Sequence, residues 1–193
     1  MCMPDVRQWD GHSYDRVSGP MEALGREVLG RMQLRGDEVV LDAGCGSGRI
    51  TQALLERLPR GRVVAVDASP SMVHAARDRL GDAAEVRLAD LLELELEEPV
   101  DAVISTATFH WIADHDHLFR RLLDAGFAAA SCWLAPAPKQ PQQPREFLAT
   151  IVLGPHVQQL PEELREPFMD EVLAELGEPV VVDYVRLNID ATP

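Results

Sequence analysis

The stretch that decides the fold is Val-Leu-Asp-Ala-Gly-Cys-Gly-Ser-Gly-Arg, residues 40–49. It begins as an apolar strand and passes directly into three alternate glycines, Gly44, Gly46 and Gly48. Glycine allows a tight turn and lets a ligand approach the backbone without a Cβ in the way. Apolar residues then recur at helical spacing, and amides at a helix N-terminus attract negative charge. The pattern predicts a strand, a glycine loop and a helix that together form a ligand site suited to an anionic group.

Strands and helices alternate along the chain on both sides of this loop. The spacing of apolar residues, with glycine and proline breaks, predicts the elements. In order they are a helix at 21–34, a strand at 38–43, a helix at 50–58, a strand at 63–67, a helix at 70–80, strands at 85–90 and 100–107, and a helix at 115–124. Helices between consecutive strands favour parallel pairing. The sequence therefore predicts an α/β fold with a doubly wound, mostly parallel Rossmann-like sheet and helices on both faces.

We expect residues 1–193 to form a single domain. It divides into an N-terminal lid and helix, a ligand-binding βαβ core, a linker with four prolines and three glutamines, and two C-terminal helices with a closing strand. Such a proline-rich segment is a stiff connection rather than packed structure. The four parts span residues 1–37, 38–126, 135–144 and 145–193.

Three carboxylates stand at the ends of predicted strands: Asp42, Asp67 and Asp90. In an open parallel sheet, ligands bind beyond the carboxyl ends of the strands, where the chain order reverses. Asp67 can accept hydrogen bonds from both hydroxyls of a ribose, or it can cap the helix that follows. Asp90 can accept from an adenine amine with Leu91 beside the ring, or it can be an ordinary surface residue.

Motifs between Tyr14 and about Leu122 resemble those of the class I S-adenosylmethionine-dependent methyltransferases, and most of all the trans-aconitate 2-methyltransferase-like group. Besides the first motif, they are Val-Asp-Ala-Ser-Pro-Ser-Met at 66–72, Ala-Asp-Leu at 89–91 and Phe-His-Trp-Ile at 109–112. The Gly-x-Gly-x-Gly spacing after an aspartate also differs from the Gly-x-Gly-x-x-Gly of dinucleotide-binding folds. The resemblance implies S-adenosylmethionine as the cofactor, and methyl transfer from it needs no metal.

The same resemblance assigns roles to individual residues. The methionine portion of the cofactor would be held by Gly44, Gly46 and Gly48, the ribose by Asp67, and the adenine by Asp90 and Leu91, with Asp42 as a further cofactor-binding residue. Position, rather than the resemblance, suggests the contacts with the acceptor: His110 and Trp111 follow the fourth strand, and Tyr14 would belong to an N-terminal lid. His110 is the catalytic candidate, although a phenol or amine acceptor needs a general base and a carboxylate, already ionised at pH 7, does not. In the alternative interpretation Trp111 belongs to the core and His110 is a satisfied polar residue.

The family's fifth strand and its Pro-Gly-Gly turn are not found between Phe119 and Cys132. We therefore expect fewer strands than the family's usual seven. The last two strands, predicted at 127–134 and 180–189, must pair directly with the fourth or leave it as an exposed apolar edge, through which chains could self-associate. The alternating leucines and glutamates of 92–97 fit either an edge strand or an extended connection.

Composition restricts the possible partners. A net charge of −14 argues against a nucleic acid partner, and no apolar run is long enough for a membrane span. Three widely spaced cysteines and no visible signal segment favour the cytoplasm.

We expect a methyltransferase of a small molecule, with carboxylate O-methylation as one form of the reaction. The alternatives are a shortened, non-catalytic relative that binds the cofactor or serves as an interaction module, and a nicotinamide-dependent dehydrogenase, which the glycine spacing disfavours.

Overall fold

A computed structural model describes residues 18–124 and 129–192. They form two compact units: the first runs from Met21 to Phe119, and the second combines residues 18–20 with those from Arg120 onward. The single domain predicted over 1–193 stays a prediction. Tyr14 and most of the predicted lid lie outside the described residues.

The first unit alternates strands and helices as the apolar pattern predicts. Its elements are α1 (Gly19–Arg31), β1 (Val39–Ala43), α2 (Arg49–Leu55), β2 (Arg62–Asp67), α3 (Pro70–Leu80), β3 (Glu85–Leu88), β4 (Ala102–Ile104) and α4 (His115–Asp124), which continues past the boundary between the units. The amide of His117 donates to the Asp114 carboxylate at 2.9 Å, so Asp114 caps α4 as its type and position predict.

The sheet of this unit has four parallel strands in the order β3-β2-β1-β4. The chain adds β2 and β3 on one side of β1 and then returns to place β4 on the other side. That reversal is the mark of a doubly wound sheet. The predicted fold class is therefore confirmed, with fewer strands than seven.

Both faces of the sheet are buried, which explains the nearly continuous apolar runs of β1 and β2. On one face Val40 and Val63 pack with Leu29 of α1 and Leu54 of α2. On the other face Leu41, Val64 and Val66 pack with Leu94. Leu94 belongs to the connection between β3 and β4, which forms no strand, so the edge-strand alternative for residues 92–97 is wrong. The segment starts in a turn, where the amide of Glu93 donates to the carbonyl of Asp90 at 3.1 Å, and continues as an irregular connection.

The last two strands do not extend this sheet. The second unit holds β5 (Ala129–Pro136) and β6 (Val185–Thr192), which pair antiparallel as a separate two-stranded sheet. Within the described ranges β4 pairs with β1 alone, so of the two predicted arrangements the structure has the one that leaves β4 at an edge. The expectation that a strand would begin at 180 is wrong: β6 starts five residues later, after a turn region.

Short helices occupy the rest of the second unit. They are α5 (Pro144–Phe147), a π-helical turn (Leu148–Val152), α6 (Gly154–Gln159) and α7 (Glu162–Leu176). The predicted linker 135–144 is shorter than expected, because its first two residues belong to β5 and Lys139 forms a β-bridge with Val182. Leu148, Met169 and Val180 form the buried cluster of this unit. In the part of the chain that the structure describes, no helix has the length and apolar character to span a membrane.

Candidate functional site

The glycine loop lies at the reversal point of the sheet. It leaves β1 between β2 and β4, and the strand register pairs Ala43 with Val66 and Asp42 with Ile104. The carboxyl ends of these strands therefore meet at one edge. This is the position where open α/β sheets bind their ligands.

The three glycines of the loop adopt conformations that other residues avoid. Their φ angles are 85° at Gly44, 55° at Gly46 and 82° at Gly48, all in the left-handed region. A Cβ on Gly44 would lie 2.1 Å from the Thr108 hydroxyl oxygen, whereas a Cβ on Gly46 would have no described atom within 4 Å. Gly44 is thus required by packing, and Gly46 faces open space.

The amides of the loop point into the protein. Gly44 and Cys45 both donate to the carbonyl of Val66, at 2.8 and 2.9 Å, and Gly46 donates to the Asp67 carboxylate at 2.9 Å. An anion bound at the loop would have to compete for these donors. These three amides are already paired inside the protein, one of them with a carboxylate, and an anionic group at the amides of the following helix stays a prediction.

Asp67 joins the loop to the start of α3. Its Oδ2 accepts from Gly46 and its Oδ1 accepts from the amide of Ser69 at 2.9 Å. Burial raises the pKa of this carboxyl above its ordinary value. The structure thus contains the interaction with the start of the following helix that the sequence offered as an alternative. Each oxygen keeps a second lone pair, so the ribose role stays a prediction.

Asp42 is buried beneath the loop, with 1% of its surface exposed. The Thr51 hydroxyl of α2 donates to its Oδ2 at 2.6 Å. Burial raises the pKa of Asp42 to about 6; the Thr51 hydrogen bond opposes this rise, and the charge of Asp67 adds to it. Two mutually repelling carboxyls therefore flank one loop.

Asp90 and Leu91 follow β3 at the same edge. Asp90 is half-buried, and its Oδ1 accepts from the amide of Leu92 at 2.9 Å, the local turn that aspartate favours. Leu91 is half-buried and packs against the sheet cluster that contains Leu94. Their predicted contact with an adenine stays a prediction.

The segment after β4 holds the other side of the loop. The Ser105 hydroxyl donates to the carbonyl of Ala43 at 2.7 Å, and the Thr108 hydroxyl lies 3.3 Å from the carbonyl oxygen of Gly44. Between them, Ala107 has φ 55°, a conformation that costs an L-residue about 1 to 2 kcal/mol. Backbone strain of this kind concentrates at functional sites.

His110 and Trp111 lie exposed in a short 3₁₀ turn, Phe109–Trp111. Their ring centroids are 4.7 Å apart, with the planes tilted by 48°. Trp111 is 45% exposed, so the alternative in which it belongs to the core is wrong. The two rings form an accessible aromatic surface just after β4.

Some residues that hold the loop were missed by sequence reasoning. Arg49, directly after the loop, forms an ion pair with Glu22 of α1 at 2.6 Å, and Arg79 of α3 donates to the carbonyl of Ser47 at 2.8 Å. Thr51 is the third. Arg49 stands inside the motif, but only the folded chain brings Glu22 and Arg79 to it, across 27 and 32 residues of sequence.

The charge of this arrangement favours a cation. The Asp42 carboxyl is buried and that of Asp67 is half-buried. The guanidinium of Arg49 pairs with Glu22, and that of Arg79 donates to the loop carbonyl of Ser47. A pyrophosphate placed here would add negative charge to two carboxyls that already repel each other. A positively charged ligand would relieve that repulsion.

Comparison with known proteins covers the part of the chain that contains this site. The profile of the methyltransferase domain family matches residues 40–126. A trans-aconitate 2-methyltransferase from Azoarcus sp. (strain BH72) is 36% identical over 115 residues, 60% of this chain and 45% of that protein. A malonyl-[acyl-carrier protein] O-methyltransferase from Acetivibrio thermocellus is 45% identical over 105 residues, 53% of this chain and 37% of that protein. The chain thus covers less than half of each of these relatives.

A solved structure shares the fold. A SAM-dependent methyltransferase from Aquifex aeolicus superposes with a TM-score of 0.54 at 21% identity, over 67% of this chain and 74% of that one. The matched residues 40–126 contain every described site residue from Asp42 to Trp111. The sheet reversal and this superposition agree on the fold, and the profile match leads to one conclusion: residues 40–126 of this chain are similar to the methyltransferase domain family.

Proposed function

We propose that this chain binds S-adenosylmethionine at the glycine loop and transfers its methyl group to a small molecule that carries a carboxylate. The observation that carries the proposal is the loop itself: the amides of Gly44 to Gly46 are paired within the protein, and the buried carboxyl of Asp42 and the half-buried carboxyl of Asp67 flank it. S-Adenosylmethionine carries a sulfonium and an ammonium against one carboxylate, so its net charge is positive. The positive charge of S-adenosylmethionine complements the carboxyls of this site, whereas the negative charge of a dinucleotide would not.

The residues of the site fit the parts of this cofactor. The open space at Gly46 admits the methionine portion against the backbone, Asp42 and Asp67 offer negative charge and acceptors, and Asp90 with Leu91 closes the far end of the edge. When bound, the cofactor supplies a methyl group already activated by its sulfonium. The protein then has to align the acceptor and exclude water.

A carboxylate acceptor is supported by the two relatives, since aconitate and a malonyl group both carry one. A carboxylate is ionised at neutral pH and needs no general base. His110 then acts as a hydrogen-bond donor that holds the acceptor, and Trp111 provides an apolar wall beside it. Tyr14, from the predicted N-terminal lid, is the further contact in this proposal.

Calorimetric titration tests the cofactor part directly. We expect S-adenosylmethionine to bind with measurable heat and NAD to give none at the same concentration. Absence of heat at millimolar S-adenosylmethionine would contradict the proposal. Methyl transfer is then measured with a panel of di- and tricarboxylic acids, because a product with one methyl ester identifies the acceptor class.

Asp67→Ala is expected to weaken S-adenosylmethionine binding by about 1 to 3 kcal/mol, since ribose hydroxyls would lose their acceptor. The measurement is the dissociation constant by calorimetry, with a thermal unfolding curve to show that the variant folds. Asp82→Ala is the matched control, because it removes one negative charge from an exposed position. Affinity within twofold of the original protein in Asp67→Ala would mean that the ribose lies elsewhere.

His110→Ala is expected to lower methyl transfer about tenfold, the cost of one hydrogen bond to the acceptor, while cofactor affinity stays unchanged. The measurement is the rate of ester formation at saturating cofactor. His74→Ala serves as the control, because His74 is an exposed histidine of α3 paired with Asp78. If His110→Ala transfers methyl groups at the original rate, His110 does not hold the acceptor.

A second function is favoured by one observation, the openness of the acceptor side. His110 and Trp111 are exposed, and the described sheet ends at β4. A chain with this architecture could bind the cofactor without turning over and serve as an interaction module. Cofactor binding without methyl transfer to any acid of the panel is the result that this second function predicts.

A further inference from the structure

The hydrogen bond between Thr51 and Asp42 is a contact that neither the motif nor the proposed chemistry explains. Thr51 lies in the first turn of α2 and is fully buried, and its hydroxyl donates to Asp42 at 2.6 Å. A buried threonine in a helix often bonds the carbonyl one turn earlier instead. Here the hydroxyl is directed across the interior to a carboxyl on the neighbouring strand.

We propose that Thr51 is a positioning residue for the glycine loop: its hydroxyl keeps the buried Asp42 carboxyl oriented and ionised, so that the loop binds a cationic ligand. The inference deepens the proposed function and rests on it. Thr51 touches neither the cofactor nor the acceptor in this scheme. It acts through Asp42.

The surroundings of Asp42 show why such support is needed. Burial and the negative charge of Asp67 both favour the protonated carboxyl, and the Thr51 hydroxyl is the group that opposes them. The neighbouring Cys45 contributes no charge, because burial raises the pKa of its thiol far above its usual range. Arg49 of the same helix is paired with Glu22. The balance between the two forms of Asp42 therefore depends on one hydroxyl.

The consequence is a link between pH and cofactor binding. With Thr51 in place, Asp42 has a pKa of about 6 and is mostly ionised at pH 7. Loss of a hydrogen bond to a charged group raises a carboxyl pKa by about one to two units. At pH 7 the ionised fraction would then fall by about two- to tenfold, and a rise in pH would restore it.

The first arm of the test uses the protein without cofactor. Aspartate carboxyl carbons are labelled with ¹³C and titrated by NMR, with the Asp42 signal assigned from its loss in Asp42→Asn. We expect the Asp42 midpoint to rise by about one to two pH units in Thr51→Val, which matches threonine in shape, and to stay in place in Thr51→Ser, which keeps the hydroxyl. An unchanged midpoint in Thr51→Val overturns the inference whether or not the cofactor binds.

The second arm measures S-adenosylmethionine affinity at pH 7 and pH 9 in the same variants. We expect Thr51→Val to bind about two- to tenfold more weakly than Thr51→Ser at pH 7 and equally well at pH 9. The titration of the ligand itself affects both variants equally, so it cancels in the ratio of their affinities at each pH. A loss that is the same at both pH values would mean that Thr51 is only a packing residue and would overturn the inference.

The two arms separate this inference from the proposed function. If the original protein gives no heat with S-adenosylmethionine, the proposed function fails, and the cation-binding part of the inference falls with it. If the cofactor binds but Thr51→Val behaves as Thr51→Ser in both arms, only the role of Thr51 fails. If Thr51→Val does not fold, Thr51→Ala replaces it in both arms.

Discussion

Gly44→Ala is expected to destabilise the protein by about 2 to 5 kcal/mol. Two losses of stability add. The left-handed backbone at φ 85° costs an alanine about 1 to 2 kcal/mol, and overpacking by the new methyl group costs about 1 to 3 kcal/mol. The overpacking is specific, since the new methyl would lie 2.1 Å from the Thr108 hydroxyl oxygen and 2.6 Å from its Cβ. The free energy of unfolding in urea measures the loss.

Gly46→Ala is the matched control for this result. Its φ of 55° carries a similar backbone cost, but its Cβ meets no described atom within 4 Å. We expect it to lose only about 1 to 2 kcal/mol of stability while S-adenosylmethionine affinity falls at least about tenfold, because the methyl occupies space meant for the ligand. Thr108→Gly should recover part of the loss in Gly44→Ala and none in Gly46→Ala. Equal stability losses in the two alanine variants would contradict the packing argument.

Asp42→Asn is expected to raise stability at pH 8 and to impair cofactor binding. The pKa of Asp42 is about 6 in the folded protein against 3.8 in a model peptide, so the folded state binds more protons between about pH 4 and pH 6. Its contribution to stability is therefore present at low pH and is lost as the pH rises through that window. Asparagine is neutral throughout, so the variant should gain about 1 to 3 kcal/mol over the original protein above pH 6.

Urea unfolding from pH 4 to pH 8 measures this difference. Subtraction of the two stability curves removes the contributions of other carboxyls, including Glu38, whose pKa is held at about 2 by backbone amides of the turn at 35–37. The difference should be near zero at pH 4 and should open by pH 6. S-Adenosylmethionine affinity of the variant should be about tenfold lower than that of the original protein at pH 8. It should also lack the pH dependence that the ionisation of Asp42 gives the original protein. A variant less stable than the original protein at pH 8 would show that the Asp42 charge is well solvated, contrary to its burial.

Sequence patterns predicted most of the first unit because its signals are local. Apolar runs bounded by glycine and proline predicted β1, β2 and α3 within a few residues, and the motif at 40–49 predicted the loop between a strand and a helix. The rule that parallel strands end at one sheet edge then grouped Asp42, Asp67 and Asp90 correctly. Fold class and the sheet edge that carries these three carboxylates followed from the sequence by itself.

The partners of each site residue could not be read in the same way. The sequence predicted a site for an anionic group at the loop, but it did not predict that the amides of Gly44 and Cys45 would bond Val66 and that of Gly46 would bond Asp67. It also left two arrangements open for β4, either pairing with the last two strands or lying at an edge of the sheet. The structure has β4 at an edge, while β5 and β6 pair with each other. Pairing between strands far apart in sequence depends on the competition between whole arrangements, which local periodicity does not encode.

The sequence by itself therefore determined a parallel sheet, a glycine loop at its reversal point and carboxylates at the strand ends. Only the tertiary structure decided the electrostatics of the loop. Thr51 lies nine residues from Asp42, and Asp67 lies 21 residues from Gly46, and each contact exists because packing brings separate elements to one edge. Burial then raises the pKa values of both carboxyls, and burial is a property of the packed chain rather than of any motif.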